Sequence, residues 1–506
     1  MSLKRILKLM AAFLAGQGVS IVTQLLIPPL FLARYANGME SYGEWLVLTA
    51  AVSYLGTLNY GIQNYTTNQM AIHYNRGELD EAKIVQASAL RLILILIAFL
   101  CAAGSGVLLM PISSWMGLRH IDNSAASLTL FLMLLQFVVG MLFAVLADSY
   151  MVVGQAHRGN LWINAQRLFA VLVLAGFVWR RASFPTLAVT QLGSMMLFTL
   201  LTLVDVRVTA PVLLPSLRYG STRQMIASLR PSAHFGLLSI SAFLVWQGPL
   251  LVMAKLLGPA SVAVFAMSRA VFSMSRQLLA VSSYSIGQDI THLIGQRNWP
   301  QLRRLYELSE KVVLFLIPTL TLGTLLICPL LFTVWLHHRS VYEPITCMLM
   351  AAVSSVIGIK EHKWQFQWSS NEHESLARFS SIAYAIMLAA SALLMGRFGT
   401  CAFLYCWLVT ELVLVVYVIY LNHKLFPSDM QLSVAPIFRL LVVLLIAFAL
   451  AAWPVWQDAN WPLAEVVAVV VIFSAILAGL SYFVFGVDEV RAVVERKLRR
   501  RLRTAE

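Results

Sequence analysis

Arg269 and Arg276 stand inside a long apolar stretch, with Ser273 between them and Ala280 and Ser283 after them. Steps of three or four residues put all five on one face of a helix. The opposite positions, Val264, Val271 and Leu278, are apolar. A guanidinium grips two phosphate or carboxylate oxygens at once, so this pattern predicts an anion-binding face. Near the N-terminus Gln17, Ser20 and Gln24 form a second polar stripe, suited to the hydroxyls of a polar substrate. Pro28 and Pro29 follow that stripe, and Pro249 lies in a later apolar stretch. Proline removes an amide donor, so helix kinks are expected at all three positions. Asp148 and Glu411 are deep carboxylates, candidates for holding Na+ or a proton. As structural groups, Asp148 would pair with Arg167 and Glu411 with an arginine. Glu44, Arg91 and Asp205 lie near the ends of apolar stretches and are expected at an interface.

The elements that carry these residues are membrane spans. The chain has 506 residues, of which 59% are hydrophobic and 12% charged. Its mean hydropathy is +0.77. About 20 apolar residues cross a bilayer, and fourteen stretches of that order occur, near 9–35, 42–62, 86–109, 126–152, 160–180, 186–206, 231–255, 259–284, 311–336, 345–367, 376–397, 399–421, 437–456 and 462–486. The fold class is therefore an all-α polytopic membrane protein. A charged side chain at mid-bilayer costs about 2.5–3.5 kcal/mol on insertion scales. Charges kept at that cost point to a cavity or a transport path.

The net charge of +14 fits the positive-inside bias better than nucleic-acid binding. With the N-terminus inside, inner segments hold most basic residues, from Lys4, Arg5 and Lys8 to the arginines of the tail. Outer segments hold Arg34, Arg119, Arg180, Arg181, Lys255, Arg339 and Arg397. Both termini are then cytoplasmic, and the run after Lys8 is an uncleaved first span. The tail, Val487 to Glu506, has the pattern of a basic amphipathic helix for an anionic leaflet.

A shift of 220 residues superposes the first five spans on later ones, and brings Pro29 onto Pro249 and the inner loop from Gln63 to Lys83 onto that from Ser283 to Arg303. The expected organisation is a six-helix bundle over 1–210, a second over 211–425 in parallel pseudo-repeat, two further spans over 426–486 and a basic tail over 487–506. A substrate site would lie between the bundles.

The five cysteines suit apolar packing rather than chemistry. His337, His338, His362 and His373 lack metal-ligand spacing and are expected in solvated loops. Trp364, Phe366 and Trp368 are expected at the membrane interface. No G-x-x-x-x-G-K-S/T loop, H-E-x-x-H or G-x-S-x-G motif occurs. The expectation is a transporter with no enzymatic activity, no cofactor and no metal.

Short motifs add a resemblance. Tyr42-Gly43-Glu44-Trp45 opens the second span and Gly61 closes it. Asn68-Gln69-Met70-Ala71 and Asn75-Arg76-Gly77-Glu78, with Glu81, follow before the third span, and Ser268-Arg269-Ala270 lies in the eighth. Over about 1–420 the chain resembles the polysaccharide-transporter, or O-antigen flippase, branch of the multidrug/oligosaccharidyl-lipid/polysaccharide exporter superfamily. The resemblance implies a bacterial inner-membrane flippase that moves an undecaprenyl-pyrophosphate-linked oligosaccharide by alternating access, for O-antigen, capsule or exopolysaccharide biosynthesis. It implies as partners that lipid-linked sugar, membrane lipids, a polysaccharide polymerase and a chain-length regulator. Fourteen spans are similar in number to lipid II flippases, although the first span lacks the several cavity arginines expected of one. Two other readings are a cation-coupled multidrug exporter of the same superfamily, which prefers acidic cavity groups, and a membrane-embedded oligosaccharide polymerase or ligase, which needs a larger outer loop than that near Met110 to Ala125.

Overall fold

A computed structural model describes residues 3–53, 56–284, 286–336, 342–370, 374–427, 432–456 and 463–485. The tail helix expected over 487–506, and the positions of His337, His338 and His373, lie outside the described residues. Among the described residues the α-helices are α1 (Leu3–Arg34), α2 (Gly38–Ser53), α3 (Gly56–Asn75), α4 (Leu79–Ser105), α5 (Ile112–Met116), α6 (Asn123–Val152), α7 (Ala156–Trp179), α8 (Phe184–Thr209), α9 (Thr222–Trp246), α10 (Gly248–Leu257), α11 (Pro259–Tyr284), α12 (Gly287–Gly295), α13 (Trp299–Leu336), α14 (Pro344–Ser370), α15 (Glu374–Phe398), α16 (Thr400–Leu425), α17 (Ala435–Trp456) and α18 (Leu463–Phe485). No strand occurs among them. Twelve described helical spans are long and apolar enough to cross a bilayer. The stretches 42–62 and 259–284 are not among the twelve. The first contains residues 54–55, which lie outside the described residues, and α11 is diluted by two arginines and its serines.

The chain forms two compact units, Met1–Ala263 and Val264–Glu506. In the first, α1 packs on α7, α3 on α9 and α6 on α8. Its apolar core includes Ile93, Leu100, Leu134, Val138 and Met141, from α4 and α6. Leu200, Val204 and Val208 recur along α8 yet are 60%, 64% and 76% exposed. Such an apolar outer face is a liability in water and suits lipid. In the second unit α14 packs on α13 and α16, and α17 and α18 lie against α13. A further core joins Ile290, Tyr306, Phe366 and Phe426.

Two helices run further than their polarity suggests. The loop expected from Gln63 is helical to Asn75, because α3 is sandwiched by α4, α6 and α9. Similarly α14 continues unbroken to Ser370 through Lys360-Glu361-His362-Lys363. Similar turns stand at two positions 220 residues apart. After α3, Gly77 adopts φ +79°, with Glu78 N–H donating to the His73 carbonyl at 3.0 Å and Gly77 N–H to that of Tyr74 at 3.1 Å. After α12, Arg297 adopts φ +52°, with Asn298 N–H donating to the Leu293 carbonyl at 3.0 Å and Arg297 N–H to that of Ile294 at 2.9 Å. This paired-bond closure, with a left-handed residue just past the helix, is a Schellman cap. It recurs with glycine at one position and arginine at the other.

Candidate functional site

Gly258, at φ +93°, ends α10, and Pro259 opens α11, where its missing N–H costs no helix bond. Along α11 the side chain of Arg269 is half-buried, its guanidinium carbon 5.3 Å from the centre of the Phe265 ring, within cation–π range. One turn on, the Ser273 hydroxyl donates to the Ala270 carbonyl at 2.7 Å. Arg276 is engaged differently: its Nη1 lies 2.9 Å from Glu361 Oε1 on α14. The apolar positions opposite do not act as one face, since Val271 is buried and Leu278 is 59% exposed.

Glu361 belongs to a buried polar run that reads as a loop in sequence. Lys360 Nζ lies 2.6 Å from Glu411 Oε2 and donates to the Tyr384 hydroxyl at 2.7 Å. The Tyr384 hydroxyl and the Trp407 indole N–H both donate to Glu411 Oε1 at 2.9 Å. Glu411 therefore has a lysine partner rather than the expected arginine. His362 is buried, not solvated: its Nε2 is 2.8 Å from Ser309 Oγ, and its ring packs on Tyr306 and Phe366. Lys363 pairs with Glu310 on α13 and stands 4.0 Å from the centre of the Tyr306 ring. Phe366, expected at the interface, is fully buried, because this end of α14 is enclosed by α12, α13 and α16. Charges inside a bundle survive by pairing. What the sequence offers as a hint is four polar residues in succession with aromatics after them, a pattern that serves interfaces equally well.

In the first unit Gln17 and Ser20 are half-buried on α1, and Gln24 donates to Ser20 Oγ at 3.3 Å. Pro28 and Pro29 lie inside α1, which remains one helix through both. Pro249 instead occupies the first turn of α10, just after the helix breaks at Gln247. The two proline sites are thus a continuous helix and a helix start.

Asp148 does not pair with Arg167, which is exposed on α7. Its side chain takes hydrogen bonds from Gln63 and Thr67 on α3. The face of α6 that carries Asp148 looks toward α3 and α4, where a small cavity is lined by Gln63, Thr66, Thr67 and Gln86 among others. Asp205 accepts from Tyr150, from Arg158 Nε at 2.9 Å and from the Trp162 indole at 2.9 Å, so it anchors α6, α7 and α8 together.

The Tyr42-Gly43-Glu44-Trp45 motif is also buried. Tyr42 and Trp45 pack against Phe31, and Trp45 meets Phe184 edge-on. A Cβ at Gly43 would lie 1.8 Å from the Pro259 carbonyl oxygen, so only glycine admits that backbone. Glu44 Oε1 accepts the backbone N–H of Arg119 at 2.6 Å and of His120 at 2.7 Å. Gly117, at φ +72°, likewise faces the Ala254 carbonyl, and Lys255 Nζ donates to the Ser114 carbonyl at 2.7 Å. Glu44 is therefore a buried clamp on that backbone.

No protein-family model and no curated protein matches the sequence. Solved structures do match in shape. The lipid II flippase MurJ in an inward closed conformation matches with a TM-score of 0.71 at 11% identity, over 97% of this chain and 100% of that one. An inward-facing multidrug resistance MATE family transporter of the MOP superfamily matches with a TM-score of 0.65 at 14% identity, over 80% of this chain and 96% of that one. A MOP superfamily transporter from Pyrococcus furiosus, described by the reverse polarity of its binding pocket, matches with a TM-score of 0.56 at 14% identity, over 82% and 94%. The chain shares the polytopic all-α fold of these solved transporters.

Proposed function

We propose that this protein is a flippase for an undecaprenyl-pyrophosphate-linked oligosaccharide in the bacterial inner membrane, with both termini cytoplasmic, serving O-antigen, capsule or exopolysaccharide biosynthesis. One observation carries the reading. The likeness to a lipid II flippase extends over 97% of this chain, a share too large to leave out α17 and α18, whereas the likeness to the MATE transporter leaves about a fifth of the chain unmatched. The resemblance of the Tyr42 to Trp45 and Ser268 to Ala270 motifs adds the glycan class. The substrate has three parts. Its polyprenyl tail can stay in lipid. Its pyrophosphate needs a cation, and Arg269 is assigned that role, since Arg276 is committed to Glu361. Its sugars need neutral hydrogen-bonding groups, assigned to Ser273, Gln17, Ser20 and Gln24. Moving an uncompensated charge against the membrane potential costs about 2.3 kcal/mol per 100 mV, and a guanidinium that partly neutralises the pyrophosphate lowers that barrier.

Surface-glycan export in a complemented deletion strain tests this. Arg269→Ala inserts normally and loses export. Arg269→Lys keeps part of it, because charge remains while the two-pronged hydrogen bond is lost. Full export by a well-expressed Arg269→Ala protein removes Arg269 from the role. The MATE likeness favours a second reading, a cation-coupled drug exporter, in which wild-type protein confers drug resistance and glycan export is independent of it.

A further inference from the structure

We propose that Phe265 is a positioning residue for Arg269: its ring holds the guanidinium in place before a pyrophosphate arrives. The proposal rests on the anion-binding role of Arg269 and deepens it. Long side chains on a helix lean toward its N-terminus, over the residue one turn earlier. On α11 that residue is Phe265, and the guanidinium carbon of Arg269 stands 5.3 Å from its ring centre. A cation within about 6 Å of a ring centroid is drawn to the negative face of the aromatic quadrupole.

The two arginines of α11 are held by different chemistry. Arg276 meets the carboxylate of Glu361 at 2.9 Å, which offsets its charge. An aromatic ring has no net charge, so Phe265 restrains Arg269 without offsetting the charge that an anion would feel. An arginine side chain has many rotamers and loses that freedom on binding. Restricting it beforehand reduces the loss, so the same contact with a phosphate binds more tightly.

Phe265 suits this task because it is itself fixed. It is fully buried, and its ring meets that of Phe403 on α16 edge-on, with centroids 5.5 Å apart at 82°. Phe403 is fully buried too, and its ring packs on that of Trp407, one turn further along α16, at 5.3 Å. The Trp407 indole N–H is tied to Glu411, which pairs with Lys360 of α14. The rings of α16 thus set the place of the ring beside Arg269, and α14 sets the place of those rings.

Affinity for undecaprenyl pyrophosphate, measured with the full chain in phosphatidylcholine nanodiscs, tests this. Phe265→Leu keeps most of the buried volume but has no quadrupole. It should weaken binding by roughly 3–30-fold, the range of a half-buried cation–π contact, and leave binding of undecaprenol, which has no phosphate, unchanged. A ring-fluorinated phenylalanine in place of Phe265 keeps the ring shape and drains its face of negative charge, so it should weaken binding likewise. Phe272→Leu, a change at another buried ring of α11, should not. In an Arg269→Ala background the Phe265 changes should have no further effect, since a positioning residue acts only through the group it positions. Unchanged affinity in the Phe265 variants, or an equal loss with and without Arg269, overturns the proposal. Should Phe265→Leu fail to fold, the fluorinated variant decides. If wild type does not bind, or Arg269→Ala leaves affinity unchanged, the anion-site reading falls and this one with it. If Arg269→Ala weakens binding while the Phe265 variants do not, only this one falls.

Discussion

Of four consecutive residues of α14 in the second unit, Lys360, His362 and Lys363 are buried and Glu361 is half-buried, and each meets a side chain of another helix: Glu411, Arg276, Ser309 and Glu310 for Lys360 to Lys363 in turn. Around α2 in the first unit the fastening is of another kind. Glu44 is equally buried, but its carboxylate is met by two backbone amides, and beside it Gly43 lets one helix touch the backbone of the residue that opens another. The contrast separates two ways of holding helices in lipid. Side-chain ion pairs act over several ångströms and tolerate small shifts, but each partner is indispensable once buried. Backbone approach tolerates no added atom.

Breaking the ion pairs is expected to have the largest effect. Glu310→Ala leaves Lys363 charged and enclosed, and should lower stability by about 3–5 kcal/mol, seen as a large fall in the thermal unfolding midpoint of the purified protein. Replacing both partners together, Glu310→Leu with Lys363→Met, should recover most of that loss; failure to recover would mean that the pair does more than neutralise itself. A smaller effect is expected at the backbone contact. Gly43→Ala must push α2 away from Pro259, at about 1–3 kcal/mol for an overpacked site, read by the same unfolding measurement. A midpoint equal to wild type would show that α2 and Pro259 separate at little cost. The smallest change is a gain. Arg297 holds the left-handed position that Gly77 fills in the matching turn. Arg297→Gly should stabilise by up to about 1 kcal/mol, the relief of a left-handed side chain reduced by the greater freedom of glycine when unfolded.

The reach of the sequence differs among these features. Within the described residues the fourteen apolar stretches fall on helices, because twenty apolar residues in succession have no other stable state in lipid. The shared face of Arg269 and Ser273 was legible for the same reason, being a matter of helical spacing alone. The Lys360 to Lys363 run was not. Its polarity argues for a loop, and only the arrival of Glu310, Glu411 and Arg276 from other helices makes a buried position tolerable. Arg276 shows the limit on a single helix: spacing places it beside Arg269, but nothing in that spacing names Glu361, which is 85 residues away in the chain. The expected pairing of Asp148 with Arg167 failed likewise, since adjacent spans need not turn their charges toward each other.

Hydropathy and local periodicity thus determined, from the sequence alone, that the chain crosses a membrane many times as helices and which residues share a helix face. Tertiary structure alone decided which charges are partners, which polar run is core and where a backbone must be bare glycine. The physical reason is that burial in lipid acts on each segment separately, whereas the cost of a buried charge is settled only by the group that another helix brings to it.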